Sequence, residues 1–169
     1  MNFIIREAKI EDASGIANVH VDSWIETYTG IVPDKYLSTL SKEKKQEMWE
    51  SIISSNKPKQ YTFVAEVNGA IVGFINGGEA KEKEHGFDGE LRAIYLLQNH
   101  QGKKIGKAMF NKLSESLKND SIKNMYLWVL RDNASVDFYK GMGGIKGNSK
   151  EDEIGCKILM EDLYYWKAL

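Results

Sequence analysis

The spacing of apolar residues predicts two helices in the first third of the chain. After Glu11, apolar side chains recur every three to five positions: Ile16, Val19, Trp24 and Tyr28. This spacing places them on one face of an α-helix, with Asp12 or Ser14 available as its N-cap. The sequence Gly-Ile-Val-Pro at 30–33 ends that helix, and a second, amphipathic helix is expected over 41–55. A short strand over 3–7 precedes both.

A β-hairpin is predicted around the dipeptide Asn68-Gly69. It separates two runs rich in β-branched and aromatic residues, 61–67 and 70–77. Asn-Gly is the pair preferred by a two-residue type I′ turn, which joins adjacent antiparallel strands. A charged loop over 79–89 is expected to follow.

The second half of the chain alternates strands with helices. Strands are predicted over 90–97, 123–130 and 154–166, and helices over 105–117 and 134–143, which leaves 145–153 as a loop. Alternation of this kind favours a partly parallel sheet, and the hairpin makes the sheet mixed. The predicted fold class is α/β (α+β), with one domain over 1–169 and a central sheet of about six to seven strands flanked by helices.

Composition and charge exclude several classes of protein. Lys plus Arg number 23 and Asp plus Glu 24, and this balance argues against a dedicated nucleic-acid-binding protein. The single cysteine, Cys156, excludes an internal disulfide and is expected to be an inert buried thiol. The first residues lack the pattern of a secretory signal, and no apolar run reaches the ~18 residues of a membrane span. We therefore expect a soluble, cytoplasmic protein that does not act at a membrane.

The loop before the predicted helix at 105–117 carries candidate anion-binding chemistry. Gly102 and Gly106 enclose two lysines, and Lys107 follows. The first turn of a helix offers unpaired N–H groups and the positive end of the helix dipole, which together bind phosphate or pyrophosphate. The P-loop and dinucleotide-binding motifs do not match this segment. From the residues alone, the lysines could equally be solvating the start of a helix.

Two segments together resemble the acetyl-CoA-binding core of the GNAT N-acetyltransferase superfamily. The first, ELRAIYLLQNHQGKKIGKAMF, matches the family pattern Q/R-x-x-G-x-G/A at Gln101 and Gly106. The second, LWVLRDNASVDFYKGMGG, carries the family's Asn, small residue, Phe-Tyr and glycine. The chain departs from the pattern at Lys104, which stands where the family usually has its first glycine. A Cβ at this position is expected to narrow the loop while leaving its backbone N–H in place.

The resemblance implies a fold and a set of ligand-binding residues. It implies a GNAT-like domain whose sheet splays after the fourth strand, with acetyl-CoA as co-substrate. Backbone groups of Leu96 and Leu97 would contact the pantetheine and the acetyl carbonyl, and Asn133 would hydrogen-bond the pantetheine arm. Tyr139 would point at the sulfur. The pyrophosphate would be wrapped by Gln101, Gly102, Lys103, Lys104, Ile105, Gly106 and Lys107.

Several candidate catalytic and acceptor-site residues have two interpretations. Glu90 could deprotonate the acceptor amine or form an ion pair with Arg92 or a lysine. Tyr139 is the candidate general acid, or a tyrosine of the core. Trp24 and Tyr28 could line the acceptor pocket or pack in the core.

Two other residues also have two interpretations. Asn133 could cap the helix that follows it as well as contact the ligand. His20 is expected to be a half-buried structural histidine, with a second base as the alternative.

The predicted function is transfer of an acetyl group from acetyl-CoA to a primary amine of a small molecule or peptide, by direct attack in a ternary complex. The alternatives are a non-catalytic CoA- or acyl-CoA-binding module of the same fold and an unrelated nucleotide-binding domain.

No metal is expected, because His85 and His100 lack partners at ligand spacing. The acceptor stays open between a polyamine, an antibiotic amine, an amino acid and a protein N-terminus. The acidic stretch 151–153 could attract a cation but is assigned to a solvated loop, and the aromatic tail 163–166 could form a homodimer interface.

Overall fold

The sheet and its helices follow the predicted order, with one additional strand and one additional short helix. A computed structural model describes residues 2–81 and 85–169. Its strands are β1 Ile4–Glu7, β2 Gln60–Val67, β3 Ala70–Glu79, β4 Gly89–Leu96, β5 Met125–Leu130, β6 Ile145–Ile154 and β7 Lys157–Trp166. Its α-helices are α1 Ala13–Tyr28, α2 Asp34–Leu37, α3 Lys42–Ser54, α4 Ile105–Asn119 and α5 Val136–Gly141. Within the predicted loop over 79–89, residues 82–84 lie outside the described residues.

The seven described strands form one mixed sheet in the order β1-β2-β3-β4-β5-β7-β6. Every neighbouring pair is antiparallel except β4 and β5, which are parallel. The predicted hairpin is present: Val67 pairs with Ala70, and both Asn68 and Gly69 have positive φ, at 50° and 79°. Two positive φ values in a two-residue loop are those of a type I′ turn, so this prediction is confirmed.

The sheet splays between β4 and β5. These strands are in register only at their beginnings, where Gly89 pairs with Met125 and Glu90 pairs with Tyr126. On the other side of β4, Gly77 pairs with Leu91 and Asn76 with Ala93, so Arg92 is the extra residue of a β-bulge. The predicted splay is confirmed, and it leaves a gap between the carboxyl ends of the two strands.

Helices cover both faces of the sheet. The apolar stripe of α4 packs on one face, where Ile105, Met109 and Leu113 are fully buried in the largest core cluster. Helices α1 and α3 cover the other face, with Ile16, Val19 and Trp49 packed on Phe74. Helix α1 begins after a 3₁₀ turn at Ile10–Asp12, and the Asp12 carboxylate accepts from the Lys9 N–H rather than capping α1. No helix among the described residues is both long and apolar enough to cross a membrane.

The prediction of a loop over 145–153 is wrong, because this segment is the edge strand β6. It pairs with β7 through a turn at Gly155 and Cys156, both with positive φ. The segment is rich in charged residues because an edge strand is held by backbone hydrogen bonds and one face of β6 lies in solvent. The expectation that Cys156 is buried is wrong for the same reason: the residue lies in the turn, and its thiol is exposed.

His20 is a structural residue of the layer between α1, α3 and the sheet. The Trp49 Nε1–H donates to His20 Nδ1 at 3.1 Å, and the Tyr95 ring stacks on the imidazole with centroids 5.2 Å apart. The residue is 8% exposed, so it is more buried than expected. Burial, with a smaller contribution from the charge of Lys45, lowers the pKa of His20 from 6.5 to about 3. The imidazole is therefore neutral at pH 7.

This histidine makes the stability of the fold depend on pH. The unfolded chain binds a proton at His20 below pH 6.5 while the folded chain does not, so stability is full above this pH and is lost as the pH falls towards the folded pKa. Between pH 7 and pH 5 the loss is about 2 kcal/mol. We expect His20→Gln, whose amide oxygen can still accept from Trp49, to remove this part of the pH dependence in urea unfolding. Equal losses in both proteins would contradict the assignment.

Candidate functional site

A cleft of about 600 Å³ lies between the start of α4 and α5. The loop after β4 forms one wall, through Gln101, Gly102, Lys104, Gly106 and Lys107. The other wall comes from the segment after β5 and from α5 and contains Asn133, Ala134, Ser135, Phe138 and Tyr139. The two motifs that are about 20 residues apart in the sequence therefore face each other across one cleft.

The conformation of the loop leaves the amino end of α4 open to this cleft. Gly102 and Lys104 both adopt the left-handed conformation, with φ of 72° and 66°, and α4 begins at the next residue, Ile105. Gln101 donates through Nε2 to the Leu96 carbonyl at 3.1 Å, which fixes the loop to the end of β4. The N–H groups of the first helical turn have no acceptor within the helix. Together with Lys104 and Lys107, they form an environment that suits a pyrophosphate.

The conformation of Lys104 shows how the chain accommodates a lysine where the family usually has its first glycine. The left-handed conformation favours glycine, yet here a lysine adopts it. The Lys104 side chain is exposed and lines the cleft rather than closing it. The position therefore keeps its backbone geometry and gains a positive charge.

Three predicted cofactor-binding residues do not line the cleft formed by the described residues. The Lys103 ammonium donates to the Asn99 carbonyl at 2.6 Å, and the Ile105 side chain is buried in the core. Leu97 donates its backbone N–H to the Val72 carbonyl at 3.0 Å. The other predicted cofactor-binding residues all line it: Leu96, Gln101, Gly102, Lys104, Gly106, Lys107, Asn133 and Tyr139.

A second cleft, of about 240 Å³, opens on the other side of the splay. Helix α1 contributes Ser23, Trp24 and Tyr28, and the ends of β6 and β7 contribute Asp152 and Glu161. The Ser23 hydroxyl is buried and has no hydrogen-bond partner among the described residues. The sequence analysis left Trp24 and Tyr28 open between an acceptor pocket and the core, and the structure places both in the wall of this cleft.

The two clefts meet between β4 and β5. The residues that line both are Thr27, Ile94, Leu96, Gln101, Asn133, Ser135 and Tyr139. A ligand in the first cleft and a ligand in the second can therefore come into contact at Tyr139 without either one leaving its own cleft.

Tyr139 lies at this junction and is held by aromatic packing. Its ring contacts Phe138, Tyr164 and Trp166, and the residue is 6% exposed. Burial, with a smaller contribution from Tyr28, raises the pKa of the Tyr139 phenol well above its usual range. The hydroxyl is therefore protonated at neutral and mildly alkaline pH. Tyr139 is packed like a core tyrosine and also lines both clefts.

Asn133 connects α5 to the second cleft. Its Oδ1 accepts from the Ser135 N–H at 2.8 Å in the turn that precedes α5, whose N-cap residue is Ser135, so Asn133 orders this turn rather than capping the helix. Its Nδ2 donates to the Tyr28 hydroxyl at 3.0 Å, and the Trp24 Nε1–H donates to the Tyr95 hydroxyl at 2.9 Å. Burial raises the pKa of both phenols, Tyr28 and Tyr95. These contacts hold the wall of the second cleft in one arrangement.

Two carboxylates line the second cleft: Glu161, which the sequence analysis missed, and Asp152, which it placed in a solvated acidic loop over 151–153. Glu161 on β7 and Asp152 on β6 are both partly buried there, and Lys150 forms an ion pair with Glu161 at 3.4 Å. Burial raises the pKa of Glu161, and the neighbouring charge of Asp152 adds to this, while Lys150 opposes it. Alternation along β6 turns Asp152 towards the cleft and Glu151 and Glu153 towards solvent. This alternation is the signal that would have identified Asp152.

Glu90 is placed away from both clefts. Its carboxylate lies 3.3 Å from Arg92 Nε, and it lines neither cleft among the described residues. The Arg92 guanidinium also donates to the Glu79 carbonyl at 2.6 Å and to Gln60. Of the two interpretations of Glu90, this placement favours the ion pair.

Comparisons with known proteins agree with these features. The family profile described as Acetyltransferase (GNAT) family matches residues 21–143. The uncharacterized N-acetyltransferase YuaI of Bacillus subtilis is 39% identical over 137 residues, which cover 80% of this chain and 76% of that protein. A spermidine N(1)-acetyltransferase of Thermoplasma acidophilum is 31% identical over 170 residues, covering 97% of this chain and 99% of that protein.

The solved structures show the same fold. The crystal structure of the PaiA N-acetyltransferase of Thermoplasma acidophilum in complex with coenzyme A superimposes with a TM-score of 0.77 and 27% identity, over 95% of this chain and 98% of that one. The chain therefore belongs to the Acetyltransferase (GNAT) family, which confirms the prediction of an acyltransferase that takes its acetyl group from acetyl-CoA.

Proposed function

We propose that the protein transfers the acetyl group of acetyl-CoA to a primary amine of a small polycationic acceptor, by direct attack in a ternary complex. One observation carries this proposal: a lysine-lined cleft and a carboxylate-lined cleft meet at Tyr139. The first is lined by Lys104 and Lys107, which suit a pyrophosphate. In the second, the two carboxylates Asp152 and Glu161 outnumber the single guanidinium of Arg92 among the described residues, which suits ammonium groups. The similarity to a spermidine N(1)-acetyltransferase over nearly the whole chain supports a polyamine as acceptor.

On the donor side, the residues of the first cleft fit CoA. The first turn of α4, with Lys104 and Lys107, would hold the pyrophosphate, and the edge of β4 near Leu96 would hold the pantetheine. Asn133 lines the same path and keeps its amide oriented through Ser135 and Tyr28. Bound there, acetyl-CoA supplies an activated acyl group, and this chain positions it at the junction.

On the acceptor side, the amine must lose a proton before it can attack. An amine with a pKa near ~10.4 costs roughly 4–5 kcal/mol to hold neutral at pH 7. Glu161 lines the acceptor cleft and has a raised pKa, so it is the carboxylate best placed to take this proton, directly or through water. We propose Glu161 for this role in place of Glu90, which is not among the described residues that line the cleft and forms an ion pair with Arg92.

The transfer step forms a carbon–nitrogen bond and breaks the carbon–sulfur bond of the thioester. The amine nitrogen bonds to the thioester carbonyl carbon, the carbon–sulfur bond breaks, and the departing sulfur takes a proton from Tyr139. The burial that raises the pKa of Tyr139 keeps that proton available over the working pH range. The acceptor ammonium gives up two protons in all. Glu161 takes the first before the attack and releases it to solvent, and the second, lost as the amide forms, returns the Tyr139 phenolate to its neutral form through the cleft or the solvent.

The test is a steady-state assay of acetyl transfer with a panel of amines. The signal is the loss of the thioester absorbance. A thiol reagent is less suitable for detecting the CoA that is released, because it also reacts with the exposed thiol of Cys156. We expect turnover with diamines and triamines, a fall in kcat of about 100-fold in Glu161→Gln and little change in Glu90→Gln. Tight binding of acetyl-CoA without transfer to any amine would overturn the proposal in favour of a non-catalytic CoA-binding module.

A further inference from the structure

A lysine of the protein itself occupies a cation-binding position at the rim of the acceptor cleft. The Lys150 Nζ lies 4.3 Å from the centroid of the Trp128 ring and 3.4 Å from Glu161 Oε2. Trp128 and Glu161 both line the cleft. An aromatic face and a carboxylate around one ammonium group are the combination that recognises organic cations.

The register of the edge strands explains this position. Lys150 pairs directly with Glu161 across β6 and β7, and Asp152 lies two residues further along β6, on the same face. Trp128 comes from β5, the next strand beyond β7. Three strands therefore converge on one spot that holds an aromatic ring and two carboxylates.

The contact of Lys150 is exchangeable. Its side chain is 49% exposed, so the ammonium can turn into solvent without unpacking the core. Glu161, in contrast, is 17% exposed and stays in the wall. Asp152 and Glu161 place two carboxylates on this face beside the single ammonium group of Lys150, and Arg92 supplies a further positive charge elsewhere in the lining of the cleft.

We propose that Lys150 holds the place of a second, non-reacting ammonium group of the acceptor. This inference rests on the proposed function. An acceptor with two ammonium groups would place its reacting amine between Tyr139 and Glu161 and its second ammonium against the Trp128 ring, in place of the Lys150 ammonium and on the same face of β6 as Asp152. It would displace Lys150 into solvent. Lys150 therefore competes with polycationic acceptors and weakens the preference of the cleft for acceptors with more than one charge.

The test compares the variant Lys150→Met with the wild-type protein, using 1,4-diaminobutane and butylamine as acceptors. We expect the KM for the diamine to fall about fivefold or more and the KM for the monoamine to change less than twofold. Lys118→Met, which removes an equal charge from the exposed far end of α4, should change neither KM. Trp128→Leu should raise the KM for the diamine alone. An unchanged or raised KM for the diamine in Lys150→Met, or an equal fall for butylamine, would overturn the inference.

A binding measurement separates this inference from the proposed function. If no amine is acetylated, the proposed function has failed, and calorimetric titration with 1,4-diaminobutane still tests the subsite. Tighter binding of the diamine to Lys150→Met than to wild type would support the subsite. Equal binding, or no binding to either protein, would overturn it.

Discussion

Tyr139→Phe should lower kcat by at least about 100-fold, with the affinity for acetyl-CoA changed less than threefold. The substitution removes only the hydroxyl, so the packing against Phe138 and Trp166 stays in place. The departing thiolate then has to take its proton from water, and loss of a positioned acid costs on the order of 10²–10⁴ in rate. Single-turnover measurement of the chemical step, beside direct titration with acetyl-CoA, would separate the two effects.

The pH profile makes this prediction more specific. Burial keeps the Tyr139 phenol protonated, so the wild-type rate should not fall between pH 7 and pH 9 through loss of its proton. A matched control is Tyr61→Phe, which removes a phenol that donates to Asp120 at 2.6 Å far from either cleft. The control should keep wild-type turnover. Unchanged turnover of Tyr139→Phe over pH 6–9 would remove the acid from the mechanism and leave the fold unaffected.

The second large effect is expected from reversing one charge at the start of α4. Lys107→Glu places a carboxylate beside the N–H groups that would hold the pyrophosphate, so attraction becomes repulsion. The dissociation constant of acetyl-CoA should rise at least about tenfold at low ionic strength and recover in part at high salt, because exposed charges are screened. Calorimetric titration at two salt concentrations measures both changes.

Lys112→Glu is the matched control for this charge reversal. Lys112 lies on the same helix and is also exposed, but it sits over the Phe63 ring rather than at the cleft. The control carries the same change in net charge and should bind acetyl-CoA as the wild type does. Equal weakening in both variants would mean that net charge, and not the position of Lys107, controls binding.

The donor cleft could be predicted from sequence because its residues are local and their chemistry is backbone chemistry. Gln101, Gly106 and Asn133 act through a short loop and one helix start, and such segments fold in much the same way wherever they occur. Even the departure at Lys104 was interpretable, since a backbone N–H does not depend on the side chain. The structure adds that Leu97, Lys103 and Ile105 do not line the described part of the cleft, and that Lys103 turns to the Asn99 carbonyl.

The acceptor cleft could not be predicted in the same way, because it is assembled by long-range register. Asp152 and Glu161 reach the cleft only through the pairing of β6 with β7, and the polar sequence of the edge strand β6 gave the appearance of a loop. The bulge at Arg92 also shifts the alternation of β4 by one residue. A count of alternating side chains that starts at Glu90 therefore assigns the residues beyond Arg92 to the wrong face of the sheet. Trp24 and Tyr28 have helical spacing whether they face a core or a cleft.

The splay between β4 and β5 also affects the stability of the sheet. Only Gly89 and Glu90 on β4 are in register with β5, so strands β1–β4 and strands β5–β7 meet along a short seam. One wall of the donor cleft is formed by β4 and the loop after it, and the other by the segment after β5 and by α5, so a molecule bound there would join the two parts where backbone hydrogen bonds are missing. Any ligand that binds the folded chain more tightly than the unfolded chain stabilises the folded state. With the donor bound as proposed, the stabilisation would act at the short seam between β4 and β5, so the donor would be both a reactant and a removable link between the two parts of the sheet.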